Sequence, residues 1–318
     1  MAERIVVLGA GSGIGHEIAR QLVAEGRPVR AVTRSGRGTP DGADSHRADL
    51  MDRDAAIAAC AGATVVHLTA NPPYPDWVRM LPTIVTNSLA GAEAAGAKLV
   101  LADNLYAYGP VSGPITEDTP ERPVGPKERL RAELGRRLLD AHRAGRVRVA
   151  LGRSSDYYGP GGLKSLHGIT VLAPLAKGGI PMWLGDLDVP HTLPFLGDTA
   201  RAQIVLGDDD RADGRVWITP AAPTLTGREF VATAARLAGR PGRRALRLPQ
   251  FTTAVLGLVD RTVRGAGELA HQRTRPWIAD HSAFERTFGP LPVTPHEEAI
   301  TRTLAWYRAG GASPTGRR

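Results

Sequence analysis

Ile5-Val6-Val7-Leu8-Gly9-Ala10-Gly11-Ser12-Gly13-Ile14-Gly15 opens with four apolar residues and continues with four glycines in seven positions. The apolar run, bounded by glycine, reads as a short buried strand. A helix is predicted from about Gly13 to Glu25, stopped by Gly26. Glycine tolerates positive φ and lets a ligand come close to the backbone. The free N–H groups at the start of the following helix then face an anion. Strand, glycine turn and helix in that order predict a dinucleotide pyrophosphate site lined by Gly9, Gly11, Ser12, Gly13 and Ile14. A glycine-rich turn without a ligand is the plainer alternative.

Working outward, strands are expected at Val29–Thr33, up to about Ala48, and at Thr64–Leu68, Lys98–Ala102 and Val147–Leu151. Helices are expected over 53–61, 76–95 and 127–144, with a Gly- and Pro-rich loop at 109–126. Strands alternating with helices imply an α/β fold, a Rossmann-type doubly wound parallel sheet. After about residue 155 the alternation loosens, so a smaller C-terminal α/β substrate lobe is expected over 156–308. A dinucleotide-binding domain then covers 1–155, with later segments returning to it. Helices are expected at 224–239, with Thr226 as N-cap, and at 295–308; residues 309–318 are expected to form a flexible tail.

The chain has 318 residues and a net charge of +8. Such a charge invites nucleic acid, but the basic residues are scattered, nearly all arginine, and not interleaved with aromatics. No nucleic-acid partner is expected. The single cysteine, Cys60, rules out an internal disulfide. No apolar run is long enough to span a bilayer, and the N-terminus lacks a signal-peptide core. A cytoplasmic enzyme with a small-molecule substrate and no membrane partner is the expectation.

Past the second strand comes Thr33-Arg34-Ser35-Gly36-Arg37, with no acid between Val29 and Pro40. An acid there would hold the ribose 2′-hydroxyl of NAD, whereas arginine suits a 2′-phosphate. NADP is therefore favoured over NAD, with Arg34 as the main clamp; solvated loop arginines are the alternative.

These motifs resemble the short-chain dehydrogenase/reductase superfamily, specifically its extended branch of epimerases and dehydratases, over about residues 4–308. Asp49-Leu50 looks like the pair beside the adenine, and Val65-Val66-His67-Leu68-Thr69-Ala70 like the strand passing the cofactor ribose. Asn87, Gly91 and Glu93-Ala94-Ala95 resemble a helix motif of the branch. So do Tyr108-Gly109, Ile115-Thr116-Glu117-Asp118-Thr119-Pro120 and Tyr158-Gly159-Pro160-Gly161 in the loops, and Ala305-Trp306-Tyr307 in the last helix. The resemblance implies a cofactor site including Asp49, Leu50, Leu68, Thr69, Ala70 and Ser154, and a homodimer through the helices at 76–95 and 127–144.

At the catalytic positions the chain departs from the pattern it resembles. Where the superfamily carries Tyr-x-x-x-Lys, this chain has Lys127 and Arg131, and Asn104 stands at the Ser/Thr position. Lysine and tyrosine have similar intrinsic pKa values, about 10.4 and 10, so a lysine there can move a proton or polarise a carbonyl. It can also bind cofactor. Arg131 lies one helical turn on, on the same face, and suits an anionic group. Asn104 can donate a hydrogen bond. Tyr106 and Tyr108 are spare phenols on the loop after the fifth strand; Tyr108 is a second candidate to supply the proton, and Tyr106 is a candidate substrate contact. An exposed first helical turn is the alternative for Lys127 and Arg131, and simple packing is the alternative for Tyr108. By resemblance Asp156 lies near the substrate, and His191 replaces an arginine that holds substrate phosphate. Arg153 is expected to be structural. Asp186 and Asp188 lack partner ligands, so no metal site is expected.

The expected function is NADP-dependent oxidoreduction of a carbonyl or hydroxyl on a small molecule. A redox-neutral epimerase or dehydratase and a non-catalytic NADP sensor are the alternatives.

Overall fold

Alternate residues of the first strand, β1 (Ile5–Leu8), enter two different cores: Val6 and Leu8 one, Ile5 and Val7 the other. Only a sheet covered on both faces gives a strand that pattern. A computed structural model describes residues 4–248 and 268–311. Its main sheet has seven parallel strands in the order β3-β2-β1-β4-β5-β6-β9. These are β2 (Val29–Thr33), β3 (Asp44–Arg47), β4 (Val65–Leu68), β5 (Lys98–Asn104), β6 (Val149–Ser154) and β9 (Arg215–Ile218). The order reverses between β1 and β4, which opens a crevice at the C-terminal ends of those strands.

One face carries α2 (Arg53–Cys60), α3 (Trp77–Ala95) and α4 (Pro126–Arg143); the other carries α1 (Gly13–Ala24) and α6 (Leu196–Asp208). The first five sheet strands and first four helices fall within a few residues of their expected bounds. Later chain also joins this layer: α6 packs on α1, and β9 extends the edge beside β6.

The second lobe has its own core. It joins α5 (Ala173–Ala176), a π-helical turn at Gly168–Leu172, β7 (Met182–Leu184) and α7 (Gly227–Leu237). Thr226 caps α7 as expected: its side chain accepts from the Glu229 backbone N–H while Glu229 reaches back to Thr226. Two short strands, β8 (Pro190–His191) and β10 (Leu225–Thr226), pair antiparallel, and β11 (Leu246–Leu248) pairs with β7. Among the described residues three more helices follow: α8 (His271–Thr274), α9 (Ser282–Phe288) and α10 (His296–Arg308). Helix α9 returns to the first lobe, setting Phe284 and Phe288 against Trp217 of β9. The tail expected over 309–318 lies outside the described residues from 312 on. Among the described residues no helix is long and apolar enough to cross a membrane.

Candidate active site

The glycine turn joins β1 to α1 at the switch point. Gly9 adopts φ 98° and Gly13 φ 59°. A Cβ on Gly9 would lie 2.6 Å from the Ala70 nitrogen, so the turn and the end of β4 are in direct backbone contact. Thr69 fastens the same junction by donating its hydroxyl to the Leu8 carbonyl at 2.9 Å. Ser12 sits at the N-cap without a side-chain cap bond. Gly11 and Ser12 are exposed and Gly13 and Ile14 half-buried, which leaves backbone open to an anion, as a pyrophosphate cradle requires. One donor is committed elsewhere: the Gly13 N–H bonds the Gly161 carbonyl at 3.2 Å.

Gly15 is the tightest point of the turn. A Cβ there would meet Thr69 Oγ1 at 2.2 Å and the Gly9 carbonyl oxygen at 2.5 Å. Gly15→Ala is therefore expected to cost about 1–3 kcal/mol and to weaken dinucleotide binding by widening the turn. A denaturant midpoint equal to the parent's would show that the turn yields freely.

Arg34 and Arg37 are exposed just beyond β2, where Thr33 Oγ1 accepts from the Arg37 N–H at 3.1 Å and shapes the turn. Asp49 is exposed, its carboxylate accepting from the Met51 N–H; Leu50 is buried, and its carbonyl accepts from Asn87. Leu68 is buried at the end of β4.

Lys127 is no exposed helical residue. It enters the interior from the first turn of α4; its Nζ lies 3.0 Å from a Glu268 carboxylate oxygen and 4.5 Å from the centre of the Tyr74 ring. One turn on, Arg131 is buried, donating to Asp103 at 3.2 Å and to Asn71 at 2.7 Å, with its guanidinium over Trp77. The Tyr74 and Tyr106 hydroxyls are hydrogen-bonded to each other, and burial pushes both phenols above their ordinary range. They therefore stay protonated at neutral pH and act as hydrogen-bonding groups.

Asp103 lies beneath this group with no solvent exposure. It accepts from Arg131 and also from Arg153, the latter at 3.0 Å. Arg153 reaches Glu121 as well, and its guanidinium covers the Tyr108 ring. Tyr108 packs with Leu105, Ile115, Ile218 and Trp277. Asn104 uses its side-chain oxygen to accept from the Tyr106 N–H, holding the turn after β5. Ser154 is hydrogen-bonded to Thr219 at 2.6 Å.

Asp156 follows β6 and faces His191 of β8, with 3.3 Å between Asp156 Oδ2 and His191 Nε2. Ser155 Oγ lies 3.4 Å from the same nitrogen. Burial opposes ionisation of Asp156, but the His191 hydrogen bond and the nearby Arg273 charge hold its carboxyl below the usual range. Tyr157 leans back over the glycine turn, its hydroxyl 3.5 Å from where a Cβ on Gly13 would stand.

The structure thus gathers Lys127, Arg131, Tyr106, Asp156 and His191 into one neighbourhood. Around them are residues without any motif: Asn71, Tyr74, Trp77, Asp103, Tyr157, His167, Glu268 and Arg273. Asp103 stands directly opposite Arg153 in the β5–β6 register, a pairing that only the aligned strands reveal.

The family model for the NAD dependent epimerase/dehydratase family matches residues 5–217. The chain belongs to that family. This epimerase/dehydratase-family chain is 29% identical over 313 residues to a 3-diazoavenalumate denitrifying reductase from a Streptomyces species, covering 90% of the chain and 99% of that protein. Two solved structures share its fold. A dTDP-glucose 4,6-dehydratase from Streptomyces venezuelae, with NAD and DAU bound, superposes with TM-score 0.78 at 20% identity, covering 96% of this chain and 97% of that one. RMD from Pseudomonas aeruginosa, complexed with NADPH, superposes with TM-score 0.77 at 16% identity, covering 97% and 100%. The family comprises nicotinamide-dependent epimerases, dehydratases and reductases, so the chain is an enzyme of the oxidoreductase/epimerase class.

Proposed function

We propose that this enzyme is an NADP-dependent oxidoreductase acting on a carbonyl or hydroxyl of a small molecule, with Lys127 in the role tyrosine usually fills. The observation that carries this reading is the inward Lys127 ammonium, held by Glu268 over the Tyr74 ring. A bound reduced nicotinamide supplies a hydride to the substrate. Lys127 faces the oxygen that gains negative charge, stabilising it and donating the proton that completes the alcohol. Arg131, fixed by Asp103 and Asn71, anchors cofactor or substrate anions beside it. Asn104, Tyr106, Asp156 and His191 orient the substrate, and Ser154 borders the nicotinamide. Gly9, Gly11, Ser12, Gly13 and Ile14 hold the pyrophosphate, Asp49 and Leu50 the adenine end, and Leu68, Thr69 and Ala70 the ribose. Arg34 is proposed to clamp the 2′-phosphate, with Arg37 in support. The reductase named among the relatives favours net reduction over a recycled cofactor. A cytoplasmic homodimer through α3 and α4 belongs to the same proposal.

The test is NADPH oxidation against a panel of small ketones, aldehydes, quinones and aryl diazo acids. Lys127→Ala is expected to lower kcat by about 10²–10⁴; unchanged turnover would remove Lys127 from the mechanism. Product formed without net loss of NADPH would instead establish epimerase or dehydratase chemistry. Arg34→Glu is expected to weaken NADPH binding by about tenfold or more and to leave NADH nearly unaffected. Equal losses for both cofactors would overturn the 2′-phosphate assignment.

A further inference from the structure

His167, Asp156 and His191 come from three separate places: the start of the π-helical turn, the loop after β6, and β8. Each offers a ligand atom, and the three atoms lie within 4.8 Å of one another. Both histidines are buried, at 4% and 3% exposure, so neither imidazole is a chance surface neighbour. His167 Nε2 has no hydrogen-bond partner among the described residues. A buried polar atom without a partner is costly and calls for a ligand.

We propose that Asp156, His167 and His191 form a binding site for a divalent transition-metal ion of the zinc class. Two imidazole nitrogens and one carboxylate suit Zn2+, Co2+ or Fe2+ better than Mg2+ or Ca2+. Three protein ligands leave further positions open to water or substrate, as in catalytic rather than structural zinc sites. Metal–nitrogen and metal–oxygen bonds of about 2.0–2.2 Å require the ligand atoms to close in by about an ångström. The His191–Asp156 pair is already at 3.3 Å.

The imidazole of His167 is held by stacking on Trp183, with ring centres 4.7 Å apart, and meets His191 edge to face. Its orientation is thus set before any ion arrives. The unpartnered His167 Nε2 is the atom left to meet a cation. Among the described residues, the charge of Arg273 acts on both Asp156 and His167. That charge opposes a metal, so micromolar rather than nanomolar affinity is expected. The ion would lie at the substrate end of the cleft, where it would polarise a substrate oxygen. This inference goes against the absence of a metal site expected from sequence, which considered only Asp186 and Asp188. Those two carboxylates are ion-paired instead, with Arg247 and Arg228.

The test uses the full chain stripped with chelator and titrated with Co2+ and, by calorimetry, with Zn2+. A single equivalent is expected to bind at micromolar concentration, with visible d–d bands for Co2+ and a raised melting midpoint with Zn2+. His167→Gln, His191→Gln and Asp156→Asn are each expected to weaken binding at least about tenfold. NADPH titration of each variant shows whether it is folded. A variant that has lost NADPH binding too is replaced by the paired comparison of parent protein with and without diethylpyrocarbonate modification. No saturable single-site binding, or binding unchanged in all three folded variants, overturns the proposal. Either result leaves the oxidoreductase reading standing, because NADPH turnover is measured separately.

Discussion

Asp103→Ala is expected to destabilise the fold by at least about 3–5 kcal/mol, the cost of leaving a buried charge without its partner. A domain's whole stability is only about 5–15 kcal/mol. The size follows from geometry. The carboxylate has no solvent exposure, and its two oxygens go to two buried guanidiniums, Arg131 at 3.2 Å and Arg153 at 3.0 Å. Arg153 keeps Glu121 after the substitution. Among the described residues Arg131 keeps the Asn71 amide oxygen and the Trp77 ring. Because Arg131 lies one turn from Lys127, the damage reaches the candidate active site as well. Asp103→Asn retains the volume and one acceptor, so an intermediate loss is expected. Arg153→Met leaves Asp103 paired with Arg131 and is expected to cost less than Asp103→Ala. Urea midpoints of the three variants give the ranking. If Asp103→Ala melts within about 1 kcal/mol of the parent, water reaches the pair and the desolvation argument fails.

Asp103 also marks where sequence reasoning stops. The glycine turn, its two flanking elements and the apolar strands β1, β2, β4 and β5 are local patterns, legible because backbone geometry dictates them within a few residues. Lys127 and Arg131 share a helix face by spacing alone. By contrast, β9 (Arg215-Val216-Trp217-Ile218) becomes a sheet strand only because α6 carries the chain back to the free edge of β6. Nothing within its four residues announces that. Glu268 and Arg273 reach the cleft from a segment far along the chain. His167 becomes significant only through His191 and Asp156, on other elements. Tyr74 and Trp77 read as ordinary loop and helix aromatics until α4 turns Lys127 and Arg131 onto their rings. The first turn of α4 could be exposed or buried by periodicity alone. The Glu268 pair distinguishes the two.

Acidification is expected to remove a further large share of stability, through His67. This histidine belongs to the strand motif that resembles the cofactor-ribose strand, yet its ring points beneath the sheet. A Cβ on Gly207 of α6 would stand 3.1 Å from the imidazole. Burial pushes the ring down to about 4; the Asp208 charge opposes this and those of Arg27 and Lys98 add to it. In the unfolded chain the same ring titrates at about 6.5. Between those two values the unfolded state binds a proton that the folded state refuses, so stability falls as pH falls. The contribution is fully present above about pH 6.5 and declines by about 1.4 kcal/mol per pH unit. It reaches roughly 3 kcal/mol of loss near pH 4. Urea midpoints measured from pH 7 to pH 4 for the parent and for His67→Phe isolate this residue from the other histidines. The variant is expected to show a slope shallower by about one proton across that window. Equal slopes would mean that His67 is protonated inside the fold, and the packing of α6 over β4 would then have to accommodate a charge. A shallower slope with NADPH binding retained would assign this histidine to packing and leave the cofactor contacts of its strand to Leu68, Thr69 and Ala70.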